Sequence, residues 1–173
     1  MNIKLTIEKL PDLRALYIRQ LRLLLSAEEQ VVRALPDMMT TAIDSQLKQA
    51  FQSHMQETEI HIKRLRGILE NIAGAAEPIK CKVLIALNEE IEDQTQSCSH
   101  DSVRDAALIA GAQRIEHYEI AAYGAVRHFA QMMGRTEDAE ILDRTIHEEG
   151  HADHLLNTIA DRVNPAARRV HAA

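Results

Sequence analysis

Apolar residues recur every three or four positions through most of this chain, the spacing of a helix with one buried face. The first stripe, Leu13, Tyr17, Leu21, Leu24, Val31, Val32, Leu35 and Met39, predicts a helix from about Pro11 to Ala42, with Pro36 expected to kink its last turns. Asp44 and Ser45 can cap a second helix, striped by Leu47, Phe51, Met55, Ile62, Leu65, Leu69 and Ile72 and stopped by Gly74 and Pro78. A shorter segment from Lys80 to about Gln96 carries Val83, Leu84 and Leu87 on one side, and the polar stretch Ser97–Asp101 follows it. From Ser102 a long stripe runs through Leu108, Ala112, Ile115, Tyr123, Val126 and Ala130 to Met133, where Gly134 ends it. Thr136 can cap the last helix, with Ile141, Leu142, Ala152, Leu155, Leu156 and Ile159, which is expected to end near Asn164–Pro165.

Two long hairpins joined by a helical crossover make an all-α chain: a four-helix bundle with one long connection, the topology of ferritin-like folds. Its 173 residues suit a single domain, with the core bundle over about 10–164 and a frayed tail over 165–173. Composition agrees, since 46% of residues are hydrophobic but only 3% aromatic, with no Trp, leaving Leu, Ile, Val, Ala and Met to build the core. A formal charge of −6 provides no basic surface for phosphates, so nucleic acid is not an expected partner. No apolar run approaches the roughly 18 residues that span a bilayer. Met1–Leu10 carries Lys and Glu where a signal peptide would be apolar, so a cytoplasmic protein without membrane contact is predicted. Cys81 and Cys98 are read as reduced thiols. Ile18, Leu23 and Leu25 lie beside the first stripe and suggest a homodimer.

The stripes also contain acids and histidines. Glu28 lies within about 40° of Leu21 and Leu24, and His54 about 20° from Leu47 and Leu65, with Glu57 one turn on. The third long helix puts Glu116 and Glu119 in its stripe, and on the last helix Glu148 lies about 20° from Ile141 and Leu155, with His151 beside it. Glu149 is expected to point away from the axis, solvated or supporting the ligands. His61 also faces inward and is an alternative to His54 or Glu57. The hairpins resemble weak repeats: a 94-residue shift (132 − 38) carries Met38-Met39 onto Met132-Met133, His54 onto Glu148 and Glu57 onto His151.

Any one of these residues could be a boundary side chain reaching water, or a hydrogen-bonded core histidine. Four facing stripes carrying them together are a different matter, because burying several unpaired carboxylates costs several kcal/mol apiece. Divalent cations supply the counter-charge, and carboxylate with imidazole suits iron, manganese or zinc. The candidate ligands are Glu28, His54, Glu57, Glu116, Glu119, Glu148 and His151, an arrangement of the di-metal carboxylate kind.

The segments Ser26-Ala27-Glu28, Ala34-Leu35-Pro36, His54 with Glu57-Thr58, Cys81 and the string Glu116-His117-Tyr118-Glu119-Ile120-Ala121-Ala122-Tyr123 resemble the bacterial stress-associated ferritin-like family of the YciE/YciF type. The resemblance spans about Leu10 to Asn164. Glu116-x-x-Glu119 and Glu148-x-x-His151 also resemble the rubrerythrin pattern, which implies two iron ions per chain; the second helix departs from it, with His54-x-x-Glu57 in place of Glu-x-x-His. No four-cysteine module is present to supply electrons. The expected activity is oxidation of Fe(II) with oxygen or peroxide, with Glu28, Glu57, Glu119 and Glu148 as the anionic groups at the reacting centre. A manganese catalase-like activity and a non-enzymatic dimeric stress protein with a structural or vestigial metal site are the alternatives.

Overall fold

The computed structural model describes residues 9–74 and 77–171. Helix α1 (Leu13–Thr41) opens where the Asp12 carboxylate accepts from the Ala15 amide at 2.7 Å, and it runs unbroken through Pro36. Helix α2 (Ser45–Ala73) is capped by Asp44, which accepts from the amides of Gln46 and Leu47 at 3.0 and 3.1 Å. Gly74, at φ 67°, ends it in a conformation that a residue with Cβ rarely adopts. The crossover helix α3 (Lys82–Gln96) leads to α4 (Asp101–Met132) and α5 (Thr136–Arg168), followed by a 3₁₀ turn over Arg169–His171.

Both ends of α5 differ from the sequence expectation. Thr136 is the first helical residue rather than the cap, and Arg135 in the cap position makes no side-chain capping bond. Asp138, inside the first turn, instead receives the Tyr17 hydroxyl at 3.1 Å and the Arg135 guanidinium, and a carboxylate there also suits the helix dipole. Pro165 does not stop the helix, which continues to Arg168 through residues expected to fray. Asp161, whose carbonyl loses its partner at Pro165, is exposed, so water can take the vacated bond.

Each bundle helix lies antiparallel to its two neighbours. Short turns fold α1 onto α2 and α4 onto α5; α1 meets α4, and α2 meets α5, through the pairs Glu28 with Tyr123 and Arg64 with Thr145. Because α2 ends where α4 does not begin, the chain must climb the bundle between them, and α3 makes that climb against α4 and α1. Ser26 Oγ accepts from the Cys81 amide at 3.1 Å and the Arg22 carbonyl from the Ile79 amide at 3.0 Å, fastening the crossover to α1. Leu25, read from the sequence as apolar surface left for a partner, is buried, and Ile18 and Leu23 are half-buried. Among the described residues no helix is long and apolar enough to cross a membrane.

Candidate metal centre

The apolar filling of the bundle is interrupted partway along. One cluster packs around Tyr17, Leu21, Leu24, Leu65, Tyr123 and Leu142, and another around Val31, Leu35, Leu47, Phe51, Ile115 and Leu156. Following each helix from one cluster to the other crosses a buried polar layer: Glu28 on α1, His54 and His61 on α2, Glu116 and Glu119 on α4, and Glu149 on α5. Helical spacing puts them there. His54 and His61 are seven residues apart and so share a face, while Glu116 and Glu119 are neighbours one turn apart.

The layer has two halves. In one, His54, Glu116, Glu119 and Glu149 each offer a donor atom, all within 4.8 Å of one another; in the other, Glu28, His61 and Glu149 do the same. Glu149 belongs to both. His54 Nε2 lies 3.3 Å from Glu116 Oε1 and its Nδ1 4.0 Å from Glu149 Oε2. His61 Nδ1 lies 3.0 Å from Glu149 Oε1 and 3.5 Å from Glu28 Oε1, while its Nε2 lies 2.9 Å from Glu148 Oε2. The Tyr123 hydroxyl donates to Glu28 Oε1, and the Arg64 guanidinium grips the Glu148 carboxylate.

Burial drives the Glu116 and Glu119 carboxyls well above the usual carboxylate range, and the neighbouring charges of Glu149 and Glu28 push the same way. Burial also raises Glu28, to about 7, against the opposing pull of His61. Burial lowers His54, favouring the neutral ring. For His61 burial would do likewise, but Glu149 and Glu28 outweigh it and raise the ring to about 10. Burial raises Glu149 too, yet His61 and His54 beside it leave its carboxyl below the ordinary value.

The donor set fits divalent metal ions on a feature that ordinary packing does not explain. Among the described residues, Glu28 Oε2, Glu116 Oε2, both oxygens of Glu119 and of Glu149, both ring nitrogens of His54 and Nδ1 of His61 are buried without a well-formed hydrogen bond, although His61 Nδ1 and Glu149 Oε1 are close enough to pair as ions. A buried polar group left unsatisfied costs about 1–3 kcal/mol. Oxygen and imidazole donors suit iron, manganese or zinc. Two further contacts orient the set from outside, as outer partners of metal ligands do: Tyr123 on Glu28 and Glu148 on the far nitrogen of His61.

Of the residues singled out from the sequence, Glu28, His54, Glu116 and Glu119 meet in this layer. Glu148 and His151 stand outside it, and Glu57 lies at its edge, with Oε2 4.0 Å from His54 Nδ1. The Glu148 side chain is 35% exposed and bound to Arg64, that of Glu57 is 40% exposed, and His151 is exposed. Glu149, read as solvated or supporting the ligands, is fully buried, and so is His61, read as an alternative. The cause is a one-residue error of facing on α5. Its buried stripe is Leu142, Thr145, Glu149, Ala152, Leu156, Ile159 and Val163, whereas Ile141 is half-buried and Leu155 is 38% exposed. Positions 95 residues apart, Leu21 with Glu116, Leu24 with Glu119 and His54 with Glu149, are all buried, one residue off the 94-residue spacing of the methionine pairs. The methionine spacing alone points to Glu148, so the repeat did not identify Glu149.

The family model described as a domain of unknown function, DUF892, matches residues 12–168. Protein YciF of Escherichia coli (strain K12) is 38% identical over 144 residues, which are 82% of this chain and 87% of that protein. The crystal structure of the E. coli stress protein YciF superposes with a TM-score of 0.85 at 34% identity, covering 90% of this chain and 99% of the other. YcfI of Rhodopseudomonas palustris, described as a proposed structural protein, gives a TM-score of 0.83 at 30% identity over 91% and 98% of the two chains.

Proposed function

The chain belongs to the DUF892 family, whose stress-protein relative YciF is the kin that its Glu116–Tyr123 string implies, and on that premise we propose that it binds two metal ions in the buried layer and oxidises Fe(II) there with oxygen or peroxide. The observation that carries the reading is the set of buried, unpartnered carboxylate and imidazole atoms in two halves that share Glu149. Fe(II) is then the substrate. Each ferrous ion gives one electron; with hydrogen peroxide the O–O bond breaks, two protons are taken up and two waters leave.

The chain's own groups have distinct parts in this reading. Glu28 with His61 would hold one ion and Glu116, Glu119 and His54 the other, with Glu149 facing both. Carboxylates favour the ferric product, which bears the higher charge. Glu148, anchored by Arg64, holds the opposite nitrogen of His61 and so turns its Nδ1 inward, where it would bind an ion on losing its proton. Glu57, 4.0 Å from His54, and His151 line the same cavity as His54 but reach solvent.

The descriptions of the relatives as a stress protein and a proposed structural protein favour a second reading, in which the metal only stabilises the bundle. Metal analysis after anaerobic loading, followed by exposure to oxygen or hydrogen peroxide, separates the two. About two ions per chain and oxidant-dependent formation of ferric absorbance are expected for the first reading. Metal retained without turnover would assign the structural role, and turnover with Mn(II) in place of Fe(II) would assign catalase-like chemistry. A cytoplasmic homodimer is the proposed form, and light scattering at micromolar concentration that returned a monomer mass would remove the dimer.

A further inference from the structure

Beside the half of the layer that contains His54, the bundle is not filled. A cavity of about 250 Å³ lies among α1, α2, α4 and α5. Its walls are apolar, with Val31, Leu35, Phe51, Ile115 and Leu156 among them, and His54 and Glu116 face it from the buried layer. Glu57 and His151 also line it, and both reach solvent.

We propose that this cavity binds the organic part of an alkyl or aryl hydroperoxide and presents its peroxide group to His54 and Glu116. The inference rests on the metal-centre reading and names the oxidant's chemical class. Size is the first argument: a water molecule's share of liquid volume is about 30 Å³, and hydrogen peroxide or dioxygen is only slightly larger, so either would rattle in this space. A molecule of roughly ten non-hydrogen atoms fills it. Lining is the second, because apolar walls give bound water few partners, whereas they accept a hydrocarbon group readily. The third is the position of the polar atoms. Both ring nitrogens of His54 and Glu116 Oε2 are buried and unpartnered, whereas the other polar groups of the lining, Ser53, Glu57 and His151, reach water, so the polar end of a ligand gains most at His54 and Glu116.

The reaction balances with Fe(II) as the electron donor. The O–O bond of the hydroperoxide breaks, two ferrous ions give one electron each, two protons enter from solvent, and an alcohol and one water leave.

Two measurements test this together. Binding of 2-phenyl-2-propanol, the alcohol product of cumene hydroperoxide, is followed by methyl NMR on the metal-free protein, with saturable shifts expected at Val31, Leu35 and Leu156. Fe(II) oxidation is then compared between cumene hydroperoxide and hydrogen peroxide in the wild type and in Ala34→Leu and Ala50→Leu, which narrow the cavity from α1 and α2 without altering the polar layer. In the wild type kcat/KM is expected to favour cumene hydroperoxide by about tenfold or more, and each variant to lose most of that preference while keeping its rate with hydrogen peroxide within about twofold. Absence of saturable shifts overturns the proposal, whether or not the variants fold. So does a preference unchanged in folded, iron-loaded variants. A wild type that takes up no Fe(II) refutes the metal-centre reading and the oxidant's role with it, whereas normal oxidation by hydrogen peroxide with no use of cumene hydroperoxide refutes the cavity's role alone.

Discussion

Glu148 and Glu149 are adjacent in sequence, yet one side chain is 35% exposed and paired with Arg64 while the other is wholly buried between two histidines. Their removal should therefore have different consequences. Glu149→Ala takes a donor from both halves of the layer, and metal content after anaerobic loading should fall from about two ions per chain to one or none. Glu148→Ala releases only the outer nitrogen of His61, so both ions should remain, bound about 10–100-fold more weakly in a calorimetric titration. His151→Ala should leave loading unchanged. Equal metal content in the Glu149 and Glu148 variants would remove Glu149 from the centre. Protonation gives a second expectation. Glu28, raised to about 7, and Glu116 and Glu119, raised well above the ordinary carboxylate range by burial, hold protons that a metal must displace, as does His61, raised to about 10. Metal binding should release protons, and affinity should strengthen from pH 6 to pH 8. Calorimetry in buffers of different ionisation enthalpy measures that release; none detected at pH 6 would contradict these protonation states.

Among the elements, the crossover depends on one close approach. A Cβ built on Gly111 of α4 would lie 2.4 Å from Ile91 Cγ1 of α3, so α3 sits where only a glycine admits it. Gly111→Ala should lower the free energy of unfolding by about 1–3 kcal/mol, the usual cost of overpacking. Gly124 in the same helix has nothing within 4 Å of such a Cβ, and Gly124→Ala should raise stability by about 0.5–1 kcal/mol through helix propensity. Urea unfolding of the two variants checks the contrast, and like signs would contradict it. Element boundaries were legible in the sequence where a residue's own chemistry sets them: the Asp44 cap, and the left-handed glycines at 74 and 134. The facing of α5 was not. Ile141-Leu142 and Leu155-Leu156 are adjacent apolar pairs, so two stripes one residue apart describe the helix almost equally well. The neighbours decide between them, since α2 presents His61 to Glu149 and Arg64 to Glu148. A partner on another helix is not visible in the spacing of α5 alone, whereas His54 and His61, seven apart in one clear stripe, were both read as inward.

For the whole molecule, the polar layer divides two apolar clusters and leaves the metal-free bundle with buried acids whose oxygens are only partly satisfied. An ion that binds the folded chain and not the unfolded one stabilises it by mass action, by about 2.7 kcal/mol at one hundred times its dissociation constant. Thermal unfolding should therefore shift upward with Fe(II), Mn(II) or Zn(II), and an unfolding temperature indifferent to all three would be inconsistent with a convergent site. The fold class and the antiparallel hairpins followed from helical periodicity over the whole chain, because a stripe repeated through eight turns survives local misreading. A site assembled from single positions on four helices does not have that redundancy. The most direct measurement is anaerobic titration of the metal-free wild-type protein with Fe(II), read by metal analysis after desalting. Saturation near two ions per chain, falling to one or none in Glu149→Ala, is the result this account expects; a wild type that retains no ion, or a Glu149 variant that still retains two, would contradict it.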